Sequence, residues 1–207
     1  KPIKKDSRIS LKDTQIGNLT NRITFISKAI QRLTKLQIIY FANSPFTYDN
    51  IAVDWEDANS DYAKQYENEE LSWSNLKDLT DVELYNCPNM TQLPDFLYDL
   101  PELQSLNIAC NRGISAAQLK ADWTRLADDE DTGPKIQIFY MGYNNLEEFP
   151  ASASLQKMVK LGLLDCVHNK VRHLEAFGTN VKLTDLKLDY NQIEEIPEDF
   201  CAFTDQV

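Results

Sequence analysis

One spacing of apolar residues, L-x-x-L-x-L-x-x-N-x-L, recurs six times along this 207-residue chain and limits its possible folds more than any other feature. The clearest copy is Leu183, Leu186, Leu188, Asn191 and Ile193, running on to Ile196-Pro197 and Phe200. Before it come Leu161, Leu164, Cys166, Asn169 and Val171, and before that Ile136, Phe139, Met141, Asn144 and Leu146. Upstream stand Leu103, Leu106, Ile108 and Asn111, then Leu79, Val82, Leu84 and Cys87, each with its next apolar residue displaced by one, to Ile114 and Met90. The earliest full copy is Leu36, Ile39, Phe41, Ser44 and Phe46. Five copies are also led into by apolar residues at three-residue spacing, as in Ile30-Leu33-Leu36-Ile39 and Trp73-Leu76-Leu79-Val82. The copy at 136 lacks this arm because Gly133-Pro134 precede it.

This pattern resembles the leucine-rich-repeat family over roughly residues 16 to 207. The resemblance implies an α/β fold, a right-handed solenoid with a curved parallel β-sheet on the concave side and short helices and irregular arms on the convex side. Each coil would supply one strand whose consensus aliphatics turn inward, and only stacking of several coils would bury that face. The Asn would sit inside the turn and satisfy backbone groups otherwise buried without partners. Cys87 stands at that position as a known family alternative, and Cys166 replaces a strand aliphatic as a small hydrophobe. Four cysteines are too few for a disulfide scaffold, so they are read as free thiols.

The residues at the Asn position, 44, 87, 111, 144, 169 and 191, lie 43, 24, 33, 25 and 22 apart. Repeats of this family run about 20–29 residues, so two intervals carry insertions. One spans about 47–72, acidic and aromatic, with Tyr62 and Tyr66 at helical spacing and a helix plausible over 57–68. The other, 115–133, opens with Ser115 and Gln118 spaced as a capping box, followed by Leu119, Trp123 and Leu126 on one helical face. It is expected to form a short convex helix ended by Asp128-Asp129-Glu130-Asp131. Upstream, Asn21, Ile23 and Ile26 fit the second half of a degenerate coil, and residues 1–15 read as a linker or the tail of a preceding domain. Cys201-Ala202-Phe203 is no polar cap, so the array is expected to continue beyond residue 207.

A net charge of −11 argues against sequence-blind nucleic-acid binding and against docking on anionic membranes. No run approaches the roughly 18–20 apolar residues that span a bilayer, so membrane insertion by this segment is not expected. No H-E-x-x-H, P-loop, G-x-G-x-x-G or G-x-S-x-G occurs, and neither catalytic residues nor a cofactor are expected. Cys166, His168 and His173 do not form a metal site in this register, because Cys166 points inward and His168 outward. The stretch from Asp54 to Asp61 lacks the central Gly and spacing of a calcium loop.

Side chains alternate along a strand, so residues between the consensus aliphatics face outward on the concave side. Between the second and third aliphatics lie Tyr40, Glu83, Asn107, Tyr140, Asp165 and Lys187. Just after the third lie Ala42, Tyr85, Ala109, Gly142, Val167 and Asp189, and the next column holds Asn43, Asn86, Cys110, Tyr143, His168 and Tyr190. Tyrosine combines contact area, a polar tip and few rotors, which enriches it at interfaces. The expected partner-binding residues are therefore Tyr40, Glu83, Tyr85, Tyr140, Tyr143, Asp165, His168, Lys187 and Tyr190. The expected function is a non-enzymatic interaction module with a protein partner. Carbohydrate recognition, or substrate recognition for a larger enzyme, is the alternative. The irregular repeats and the phrases Pro88-Asn89-Met90-Thr91 and Leu93-Pro94 resemble multi-domain repeat proteins of gut Bacteroidetes, which implies a bacterial protein, secreted or surface-anchored.

Overall fold

The computed structural model describes residues 8–10, 26–45, 47, 51–53, 71–130, 132–149, 151–175 and 182–201. Its main element is a parallel sheet of seven strands, in spatial order β1 (Arg8–Ser10), β3 (Ile38–Tyr40), β5 (Asp81–Glu83), β6 (Ser105–Asn107), β7 (Ile138–Tyr140), β8 (Leu163–Asp165) and β9 (Asp185–Lys187). A second, two-stranded parallel sheet pairs β2 (Ile26–Ser27) with β4 (Ile51–Val53). Register is constant from coil to coil: Ile9, Ile39, Val82, Leu106, Phe139, Leu164 and Leu186 stand side by side across the seven strands. These are the second consensus aliphatics of the repeat. From β3 to β8 they are buried and their strand neighbours on either side are half-buried.

Each strand has only three residues, yet hydrogen bonding between coils runs past its end. The residue after each strand donates to the next coil, as in Phe41 N–H to Glu83 O and Ile108 N–H to Tyr140 O. Two residues further on the chain turns inward and delivers the Asn-position side chain to the core. Asn111 Nδ2 donates to Leu84 O and Ile108 O, while its Oδ1 accepts the Cys87 N–H at 2.7 Å. Asn144 Nδ2 donates to Ile108 O and Met141 O, and its Oδ1 accepts the Asn111 N–H at 2.7 Å. Asn169 and Asn191 repeat the arrangement toward Leu146 and Val171. Each amide thus ties two neighbouring coils through backbone groups that would otherwise be buried unpaired. At Cys87 the thiol does a weaker version of the same work, donating to Phe41 O.

The insertion at 115–133 forms the expected helix, Ala116–Asp128, capped by Ser115 Oγ accepting the Gln118 N–H. Leu119, Trp123 and Leu126 are buried, and the Trp123 ring lies 5.1 Å from Phe139 and 6.2 Å from Phe149, centroid to centroid. Because Phe139 points inward from β7, the helix covers the convex side of the core and leaves the outer sheet face open. Asp122 is drawn into this packing and accepts the Leu93 N–H and the Gln118 amide; burial raises its pKa above the ordinary carboxylate value. The helix is followed by Gly133, where a Cβ would stand 2.5 Å from Ala127 O, so only glycine lets the return pass this close.

The sheet begins earlier than the repeat pattern indicates. Arg8–Ser10, inside the segment read as a linker, pairs in parallel with β3 and forms the edge strand. A template demanding two aliphatics flanking each outward residue overlooks Arg-Ile-Ser, because only Ile9 matches within the strand. The degenerate coil placed around Asn21 lies outside the described residues, except that Ile26 is buried and pairs with β4. Within the 47–72 insertion β4 is an unforeseen strand, and the helix expected over 57–68 lies outside the described residues. Two of the three-residue arms pack as expected, with Trp73, Leu76 and Leu79 buried and Leu97, Leu100 and Leu103 likewise, whereas in the arm Ile30-Leu33-Leu36 only Leu36 is buried and Leu33 is exposed.

Candidate functional site

The open sheet face carries four columns of side chains, set by register. Tyr40, Glu83, Asn107, Tyr140, Asp165 and Lys187 occupy one row across the strands, as the repeat predicts. Tyr140 and Asp165 are direct neighbours in it; Tyr40 is three strand spacings from Tyr140, roughly 14 Å at about 4.8 Å per strand. The predicted tyrosines therefore do not form a single cluster. Asp165 is largely engaged by the fold: Oδ1 accepts the Val167 N–H at 3.1 Å and Oδ2 lies 3.6 Å from Lys187 Nζ. Asn107 plays the same local part toward the Ala109 N–H.

The column just before the Asn position is the most distinctive. Asn43, Asn86, Cys110, Tyr143, His168 and Tyr190 all have φ between 51° and 65°. The inward turn demands this left-handed backbone, and the coil-to-coil ladder locks it: Tyr143 N–H donates to Val167 O and His168 N–H to Asp189 O. Asn tolerates the conformation, whereas a side chain such as Tyr raises its cost to roughly 1–2 kcal/mol per residue. In the first two coils the column is Asn43 and Asn86, joined by an amide hydrogen bond of 2.7 Å. In the last three it is a stack of rings. Tyr143 and His168 lie 4.2 Å apart at 18°, and His168 and Tyr190 4.0 Å apart at 11°. Tyr143 is 39% exposed and Tyr190 75%, so the stack stands out of the surface instead of filling a core.

Cys110 links the stack to Tyr85. Hydrogen bonding to the Cys110 thiol, with burial adding to it, raises the Tyr85 hydroxyl above its ordinary pKa, and Tyr143 is close enough to contribute. Burial pushes the Cys87 thiol up to about 12 and raises Cys166 as well. Since the thiolate is the reactive form, the native protein at neutral pH is expected to alkylate at half-buried Cys110 well before Cys87 or Cys166. Peptide-level mass spectrometry after a short iodoacetamide pulse reads this directly; equal labelling of the three would contradict the burial order.

One column escaped the sequence reading. Immediately before the second consensus aliphatic stand Ile38, Asp81, Ser105, Ile138, Leu163 and Asp185, also on the open face. Ile138 and Leu163 are register partners and half-buried, making an aliphatic pair beside Tyr140. Strand alternation was sufficient to find them, had it been applied on both sides of the central aliphatic. At Gly142 the next coil packs close: a Cβ there would stand 2.9 Å from Val167 Cγ2 and 3.3 Å from Asp165 Oδ1, so a side chain has no room. His168 is held in the stack and Cys166 faces the core, so these two diverge as the register predicted. Among the described residues no helix is long and apolar enough to cross a membrane.

The stacked coils, one-strand-per-coil parallel sheet and inward Asn ladder define a leucine-rich-repeat solenoid. A leucine-rich-repeat family model matches residues 182–203. The chain is similar to a leucine-rich-repeat protein of Bacteroides eggerthii, at 62% identity and a TM-score of 0.83 over 97% of this chain and 32% of that one. It is 31% identical over 107 residues to Toll-like receptor 7 of Drosophila melanogaster, covering 51% of this chain and 7% of the receptor. An internalin C2 from Listeria monocytogenes shares the fold at 18% identity and a TM-score of 0.53, over 92% of this chain and 74% of the other. The chain thus spans about a third of the Bacteroides protein and far less of the receptor. The chain carries a leucine-rich-repeat fold and resembles a leucine-rich-repeat protein of Bacteroides, and solenoids of this class generally present extended concave binding surfaces.

Proposed function

We propose that the chain is a non-enzymatic module that binds a protein partner on its concave face, centred on β7 to β9. The observation that carries this reading is the ring stack. The left-handed turn recurs in all six coils and suits the Asn that the first two place there; the last three hold Tyr143, His168 and Tyr190 instead, an exposed ring stack that the turn itself does not require. The binding residues follow as Tyr85, Tyr140, Tyr143, His168 and Tyr190, with Glu83, Lys187 and, at the far edge, Tyr40 contributing around them; Asp165 acts mainly by holding Lys187 and the strand end.

The stack favours protein over sugar. A pyranose ring lies on an open aromatic face, whereas both faces of His168 and one face each of Tyr143 and Tyr190 are covered by neighbouring rings. Stacking leaves a sugar only the end faces of Tyr143 and Tyr190, while the long side of the stack offers an edge of hydroxyl and imidazole groups suited to hydrogen bonding with another protein surface. Similarity to a Bacteroides protein supports a bacterial source, and a secreted or cell-surface position fits a module that meets other proteins.

The test is to screen the protein against a glycan array and a display library of protein domains, then repeat the screen with Tyr140→Ala, Tyr143→Ala and His168→Asn. His168→Asn suits this purpose because Asn tolerates the left-handed backbone while removing the central ring. Protein ligands are expected whose affinity falls at least about tenfold, about 1.4 kcal/mol, in each ring variant. Binding that survives all three substitutions undiminished sinks the proposal, and glycan binding lost on Tyr143→Ala would replace it with the sugar reading.

A further inference from the structure

We infer that the partner engages this face through an extended segment with an apolar centre and a basic residue toward each end. The inference rests on the concave-face reading and specifies its ligand. Its centre is the Ile138–Leu163 pair on adjacent strands, half-buried on the open face in the column next to that of Tyr140. Toward the N-terminal side, β5 presents Asp81 and Glu83 in the same two outward columns. Toward the C-terminal side, the β9 coil presents Asp185 and Asp189, both exposed. From β3 to β9 the outward columns hold a single lysine, Lys187, and it is paired with Asp165.

The spacing determines the form of the ligand. β5 and β9 are four strand spacings apart, roughly 19 Å at about 4.8 Å per strand. An extended chain covers that distance in about six residues at about 3.3 Å each. The aliphatic pair on β7 and β8 falls between the two acidic edges, nearer the second. A segment lying across the strands would set its apolar side chains on Ile138 and Leu163 while its cations reach the two carboxylate groups. Charge of this sign also discriminates, since an acidic segment of the same shape would meet carboxylates at both ends.

The probe is a short peptide with lysines at both ends and leucines between, measured by titration calorimetry against a scrambled peptide of identical composition and a version with Glu for Lys. The ordered Lys peptide is expected to bind at least about tenfold more tightly than either control, with affinity falling as salt is raised from low ionic strength. Leu163→Ser, and separately Asp81→Asn with Asp185→Asn, should each weaken it at least about fivefold, while the convex Glu130→Gln and Glu147→Gln should leave it unchanged. No binding of the ordered peptide, equal binding of the scrambled or acidic one, or indifference to the concave substitutions overturns this inference. The ring variants Tyr143→Ala and His168→Asn, read with library-derived partners, judge the underlying face separately: loss there with no effect of the carboxylate substitutions keeps the face and rejects the basic segment.

Discussion

Trp123→Ala is expected to lower the unfolding free energy by about 3–5 kcal/mol, as for other fully buried aromatics cut back to alanine. Trp123 is 1% exposed and touches Phe139 of β7 and Phe149 of the following arm. It is therefore the bolt between the inserted helix Ala116–Asp128 and the sheet. Its indole N–H has no hydrogen-bond partner among the described residues, so the expected loss is one of packing. Denaturant titration followed by tryptophan fluorescence of the remaining residues and by circular dichroism would measure it. A loss below about 1 kcal/mol would mean the helix is an ornament on a core that closes without it.

The second large effect is expected at Asn144, whose side chain makes three hydrogen bonds to backbone groups of two coils. Asn144→Ala leaves the Asn111 N–H buried without its acceptor and weakens the environment of two carbonyls. With about 1–3 kcal/mol for each buried polar group stripped of its partner, part of it recovered through Asn111 and Asn169 donating to the same carbonyls, a loss on the order of 3 kcal/mol is expected. Asn144→Asp should be no better, since it exchanges the two donated hydrogen bonds for a buried charge. Thermal unfolding compares the two. If either retains wild-type stability, the amide ladder is not what fastens the coils. Stability in a solenoid is close to a sum over coils and their interfaces, so both losses should be local, with exchange of backbone amides quickening first around coils 108–146.

These two residues also show what a single sequence discloses. Asn144 was legible because its spacing from four apolar residues recurs in six copies, and a polar residue inside such a pattern can be buried only if the backbone satisfies it. The helix around Trp123 was legible because Ser115 and Gln118 announce its start and Leu119, Trp123 and Leu126 fall on one face. The edge strand Arg8–Ser10 was not, since its place in the sheet comes from pairing with β3 and not from its own composition. Nor did the column Asn43 to Tyr190 announce its left-handed backbone: the conformation is imposed by the inward turn, and three of the residues there are poorly suited to it. The outward tyrosines could be named from register, but their grouping could not. Strand order puts Tyr40 far from Tyr140, while contact between coils brings together Tyr143, His168 and Tyr190, which are 25 and 22 residues apart in sequence.

The central claim is that the concave surface of β7 to β9, led by the ring stack, is where a protein partner binds. Hydrogen–deuterium exchange of the chain with and without a partner obtained from the domain library tests it most directly. Protection confined to residues 138–143, 163–168 and 185–190, lost when His168→Asn is used in place of the native chain, is the predicted result. Protection concentrated on the convex helix 116–128, with the concave strands unchanged, would contradict it.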